Sequence, residues 1–340
     1  MNIPSARVFR VRALVISAIV SPAVHAHAVT IDWVTVGDPG NAANTGGYGA
    51  VATDFQIMKY EFTNQQYTDF LNTVAATDTF SLYNPEMGSS ARGGITQSGT
   101  SGSYTYAVKP NMGEKPVNYI TWFDAARVSN WLMNGATGAS STETGAYTLN
   151  GATSGSAPAS NRDATFLIPT EDQWYKAAFY MGGGTNAGYW AYATQSSTAP
   201  TAVNATTVGT GTSGGVSPVT SGDFANYLNA ASWNSETGNV TTVGTNGGAS
   251  AYGAFDMSGN VWEWNDAPSG GIRGGAYDSL VAFSLSSSAR ELVAASYDSP
   301  NVGFRLATSV AVVPEPSTYA MALAGLACGG YSLFHRRRDR

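Results

Sequence analysis

Between residues 29 and 313 the chain has neither cysteine nor histidine: its one cysteine is Cys328, and His25, His27 and His335 lie in the two end segments. Thiol nucleophiles, disulfide staples, imidazole general bases and the usual Cys/His sites for zinc, copper or haem are therefore excluded from the central body. Basic charge is also scarce there, with 10 Lys/Arg against 21 Asp/Glu, a more acidic balance than the whole-chain net charge of -6 implies. That balance argues against a nucleic-acid partner and suits divalent cations, glycans or other proteins. What remains for chemistry is carboxylates, amides, hydroxyls, arginines and aromatics.

The ends carry addressing features. Arg7, Arg10 and Arg12 lead into the apolar run VRALVISAIV, and small residues around Ala26 and Ala28 follow. The run is too short to span a bilayer comfortably, so residues 1–28 read as a secretory signal peptide cut after Ala26 or Ala28. After a short linker over 308–313, Pro314, Glu315 and Pro316 precede an apolar span over 317–334, closed by Arg336, Arg337 and Arg338. A span of about 18 residues can cross a bilayer, with the arginines held on the cytoplasmic side. An ordinary anchor is one reading. The order of motif, span and basic end over 314–340 also resembles the PEP-CTERM sorting signal of Gram-negative bacteria. That resemblance implies a sorting-protease partner, transient inner-membrane contact, and a mature protein in the cell envelope, on the outer surface or outside the cell.

The body of roughly 285 residues is long enough for one substantial core. Its abundance of Gly, Ser, Thr, Asn and Ala predicts long loops, and the low-complexity stretches 135–163 and 196–217 read as surface insertions. Three helices are predicted. Thr63 caps NQQYTDFLNTV, with Tyr67, Phe70, Leu71 and Val74 at helical spacing. Thr121 caps WFDAARVSNWLM, with Asp124 placed to bond back. Thr170 opens a third, with Gln173 in the capping-box place and Trp174, Ala177, Ala178 and Met181 recurring. Short strands are expected in VTIDWVTV, DFQIMKYEF, GGIRGGAYD and VGFRLA. The class is α+β with much irregular chain.

The segments KYEFTNQQYTDFLN, KPVNYITWFDAARVSNWL, FLIPTEDQWYKAAF, FANY, AYGAFDMSGNVWEW, IRGGAYD and NVGFRLA occur in the order found in the formylglycine-generating enzyme family, or sulfatase-modifying factor domains. The resemblance covers 29–307. It implies a C-type lectin-like variant with a small twisted antiparallel sheet, a few helices and long loops. The family enzyme oxidises a sulfatase cysteine to formylglycine with oxygen and copper(I) held by two cysteines. Ala282 and Ser287 stand where those cysteines would be, and a hydroxyl is too hard a ligand to replace a thiolate on copper(I). Copper-dependent formylglycine generation is thus expected to be absent. The branch using nonheme iron needs a histidine cluster that the body lacks, while a branch linked to pyoverdine maturation leaves an unfamiliar reaction open.

The resemblance further implies structural calcium, while the missing cysteines and histidines leave no copper, zinc or haem expected, and no nucleotide is expected either. One site would use backbone groups of Ser258, Gly259 and Val261 and the carboxylate of Glu263; the alternative for Glu263 is an ion pair with Arg273 or another arginine. A second would use Asn226 and the Tyr227 carbonyl. Trp262 and Trp264 are expected to alternate in burial and support the loop. Glu171 and Asp172 suit the start of the third helix, and Asp256 suits a turn. Ser287, Arg290 and Arg273 mark a candidate ligand groove, although arginines there, with Arg305, also suit structural pairing. Three functions stay open: an exported noncatalytic module binding an envelope or matrix protein or glycan, an oxidoreductase or protein-modifying enzyme with a divergent site, and a purely structural matrix protein.

Overall fold

The computed structural model describes residues 29–267 and 270–308. The signal segment, the linker beyond 308 and the 314–340 sorting segment with its apolar span lie outside them. No helix among the described residues is long and apolar enough to cross a membrane.

Local sequence signals set the helices. Helix α1 (Asn64–Val74) begins with a reciprocal box between Thr63 and Gln66 and buries Tyr67, Phe70 and Leu71. A short α2 (Glu86–Ser89), not foreseen from periodicity, follows. Helix α3 (Trp122–Met133) has its box between Thr121 and Asp124, and every residue from Trp122 to Trp131 is buried. It is a core helix covered all round rather than an amphipathic surface one. Helix α4 (Glu171–Phe179) opens on the Thr170–Gln173 box. Met181 falls beyond it, because Tyr180 turns the backbone to an extended conformation.

Two four-stranded sheets replace the one small sheet expected. The first runs in the order Trp33–Val36, Phe55–Met58, Ala307–Thr308, Phe166–Leu167, all antiparallel. The second runs Glu291–Leu292, Gly271–Arg273, Trp262–Asn265, Val302–Gly303, and its last pair is parallel. The architecture is α+β. The segment VGFRLA serves both sheets: Val302–Gly303 belongs to one and Ala307–Thr308 to the other, with Phe304, Arg305 and Leu306 fully buried between them. WEWN, expected as part of a loop, is a strand whose four residues are all buried, so Trp262 and Trp264 do not alternate. A strand covered on both faces has no polar side to show.

The main core gathers α1, α3 and the second sheet, with Phe62 and Phe304 stacked at 4.9 Å between ring centroids. Burying each such side chain contributes roughly 1.5–3 kcal/mol. A second cluster is built on Trp174, Tyr175 and Phe179 of α4 against Val36, Phe55 and Ile57. The 135–163 stretch is more than a surface insertion. Its Tyr147 is buried edge-on against Trp122, and its Glu143 pairs with the buried Arg127 at 2.7 Å. Low-complexity composition hides such single anchors.

Candidate functional site

The loop leading into Trp262–Asn265 is held by amides. Gly259 sits at φ +96°, and a Cβ there would lie 2.5 Å from the Asn226 carbonyl oxygen. Only glycine allows this approach. Asn260 donates through Nδ2 to Glu61 at 2.8 Å, while its Oδ1 accepts from the Thr241 backbone at 2.9 Å and from Asn226 Nδ2 at 3.1 Å. The Ser258 hydroxyl donates to the Leu285 carbonyl and accepts from the Ala193 N–H, and the Val261 N–H donates to Glu61. Asp256 accepts from Gly244 N–H and Asn246 Nδ2, the turn role its sequence context suggests.

Glu263 faces an arginine rather than an open loop. Arg305 donates to both carboxylate oxygens at 2.6 Å, Trp174 Nε1 adds a third bond at 2.8 Å, and both ionic side chains are fully buried. The spare Arg305 donors reach the Met58 and Phe255 carbonyls. Its partner is Arg305 and not Arg273, although Glu263 and Arg273 stand opposite each other in the sheet. Glu61 and Asp256 share this interior. Burial first, then the Asp256 and Glu263 charges, pushes the Glu61 carboxyl well above the usual range, against Arg305 and the Asn260 amide, which pull it down.

This geometry does not fit the calcium ligation the resemblance implies. A divalent cation on Glu263 would have to displace a guanidinium already bonded to both oxygens and leave it uncompensated in the core. Of the second set, Asn226 Oδ1 is buried without a hydrogen bond, but the Tyr227 carbonyl accepts from Ala230 N–H. One leftover amide oxygen falls well short of the six to eight that calcium takes. Among the described residues no group of three or more His, Cys, Asp or Glu is placed to hold a metal.

The three groove residues do converge. Glu171, in the first turn of α4, accepts from Arg273 at 2.7 Å and pairs with Arg290 Nε, also at 2.7 Å. Arg273 gives another bond to the Ala289 carbonyl and lies over the rings of Tyr48 and Tyr175, 4.7 and 5.1 Å from their centroids. Both arginines are thus committed to Glu171, a partnership that a helix-end reading of this glutamate misses. Ser287 lines an open cavity of about 460 Å³ with Asn44, Tyr175, Tyr180, Asn186 and Tyr189.

That lining holds no carboxylate, amine, imidazole or thiol. Tyr189 packs against Tyr175 and Tyr180, with ring centroids at 5.3 and 5.0 Å, and the Asn44 amide donates to Tyr175. Burial raises the Tyr175 and Tyr189 phenols, so neither is a base at neutral pH. Ala282 starts a short 3-10 helix (Ala282–Leu285) just before this wall. With alanine and serine in place of two thiols, the wall does not fit a copper(I) ion. The sequence reading missed the tyrosines and Asn44. Their trace was the aromatic density of WYKAAFYMGGGTNAGYW, interrupted by glycines.

Residues 41–310 match the sulfatase-modifying factor enzyme 1-like domain, and the chain belongs to that family. Among solved structures, CarF aligns over 84% of this chain and 100% of its own, at 22% identity and a TM-score of 0.51, which shows a shared fold. Treponema denticola variable protein 1 aligns over 82% of this chain and 95% of its own at 17% identity (TM-score 0.47), and PvdO from Pseudomonas aeruginosa over 82% and 92% at 16% (TM-score 0.41). No curated protein matches the chain.

Proposed function

We propose that the chain is an exported, noncatalytic binding module of the sulfatase-modifying-factor type, whose cavity beside Ser287 takes a neutral, hydroxyl-rich ligand such as the end of an envelope or matrix glycan. The observation that carries this reading is the lining itself: tyrosine rings beside amides and hydroxyls, with no side chain suited to act as general base or activated nucleophile at neutral pH. Rings offer apolar faces to sugar C–H groups, while Asn44, Asn186 and Ser287 offer donors and acceptors to hydroxyls. The nearby arginines brace the wall through Glu171.

Export and release rest on the end segments. A cut after Ala26 or Ala28 would free the amino end, and a sorting protease acting near Pro314–Glu315–Pro316 would release the body from the inner membrane. The functional reading is tested by titrating the purified protein with neutral oligosaccharides. Binding that is lost in Tyr189→Ala supports it, and no binding by any neutral glycan contradicts it.

A further inference from the structure

A second cavity, of about 300 Å³, opens where the N-terminal end of α3 meets the turn before α2 and the 298–300 segment. Its wall includes Phe80, Tyr83, Tyr119, Asp124, Thr153 and Asp298, and no lysine or arginine. Asp124 is only 6% exposed. Its Oδ2 takes both bonds of the helix cap, from Thr121 N–H at 2.9 Å and the Thr121 hydroxyl at 2.6 Å, leaving Oδ1 without a hydrogen bond among the described residues. Asp298 is exposed and accepts from Asn84 at 2.8 Å.

The Tyr83 hydroxyl donates to the Ile95 carbonyl, which leaves its ring to the cavity. Tyr119 is held at φ +58°, a costly conformation for a bulky residue, with its N–H bonded to the Ser299 carbonyl. Arg127, which lies over Phe80, is already neutralised by two bonds to Glu143. The helix end opposes a bound cation with about half a charge, less than two carboxylates supply.

We propose that this cavity is a binding site for a primary alkylammonium group, with Asp124 and Asp298 as its counter-charges and Tyr83 and Tyr119 as its cation-binding wall. Ring faces attract ammonium groups, and the unbonded Asp124 oxygen accepts one of the ammonium protons. The group arrives either as a free amine or as a lysine side chain, and the chemistry at the wall is the same. The site is independent of the cavity beside Ser287.

The test is calorimetric titration of the purified protein at pH 8.5 to 9. Burial pushes the Asp124 carboxyl up to about 7, with Asp298 adding to the rise and the Thr121 bonds and Arg127 pulling it down, so the carboxylate form prevails at that pH while the amine probes keep their protons. The probes are n-butylammonium, Nα-acetyl-lysine methylamide and, as the neutral control, 1-butanol. At least one amine binds and butanol does not; preference for the lysine derivative assigns the peptide source, and preference for butylammonium the free one. Asp298→Asn, at the exposed rim, weakens binding by roughly fivefold. Asp124→Asn, which keeps an oxygen for the cap, weakens it by roughly tenfold or more, and Thr153→Trp plugs the cavity and abolishes it. Amines that bind no better than butanol overturn the proposal, as does amine binding unchanged by both asparagine variants.

Discussion

Glu263 and Arg305 form a fully buried ion pair with a 2.6 Å bond to each carboxylate oxygen, linking the strand Trp262–Asn265 to the segment that passes between the two sheets. Trp174 of α4 closes the third side at 2.8 Å. One carboxylate thus joins both sheets and a helix beneath the candidate loop.

Removing one partner strands the other charge in the core. Glu263→Leu or Arg305→Met is expected to lower stability by about 3–5 kcal/mol, whereas the double variant Glu263→Leu/Arg305→Met recovers much of that loss. Urea unfolding of the three variants checks it. Additive losses would show that the pair is not coupled.

The same pair predicts the response to calcium. With both Glu263 oxygens bonded to a guanidinium, chelation should leave the thermal midpoint of the purified protein unchanged, and added calcium should not raise it. A fall in midpoint on chelation that calcium restores would show that the loop binds the ion.

Stability should decline as pH rises from 5 to 8. Burial pushes Asp124 and Asp266 up to about 7 from 3.8, and pushes Glu61 and Asp256 up as well. The folded state then holds protons that the unfolded chain has released. The stabilisation is complete below the unfolded value near 4 and is lost as pH climbs through about 7, by an amount on the order of a few kcal/mol. Lys115, pulled down to about 8 by burial, adds its dependence only above this window. Urea midpoints should be higher at pH 5 than at pH 8, and Asp124→Asn should flatten the slope. A midpoint that rises with pH would contradict the assignment.

The helices were legible because their signals are local: Thr63, Thr121 and Thr170 each sit three residues before the side chain that completes the cap. The sheets were much less so. Ala307 pairs with Ile57 and Leu167, and pieces of two to four residues carry no periodicity that could announce such distant partners. For the site, sequence placed Ser287, Arg273 and Arg290 together but left the role of Glu263 divided. Whether a carboxylate meets a cation or a guanidinium depends on Arg305, 42 positions away, and on how VGFRLA splits between sheets. Nor does a linear pattern show that Tyr189 turns back onto Tyr175 and Tyr180.

With Ala282 and Ser287 in place of two thiols, aerobic incubation with copper(I) and a sulfatase-type cysteine peptide should leave the thiol intact by mass spectrometry. Stoichiometric conversion of thiol to aldehyde would establish a catalytic site the lining does not reveal.

The most direct test of the binding account is saturation-transfer NMR of neutral oligosaccharides on the native protein and on Tyr189→Ala and Ser287→Trp, alongside an anionic glycan of similar size. The account predicts transfer to the neutral sugar, reduced by roughly tenfold or more in both variants, with folding unchanged. Transfer that persists in both variants, or that appears only with the anionic glycan, would contradict it.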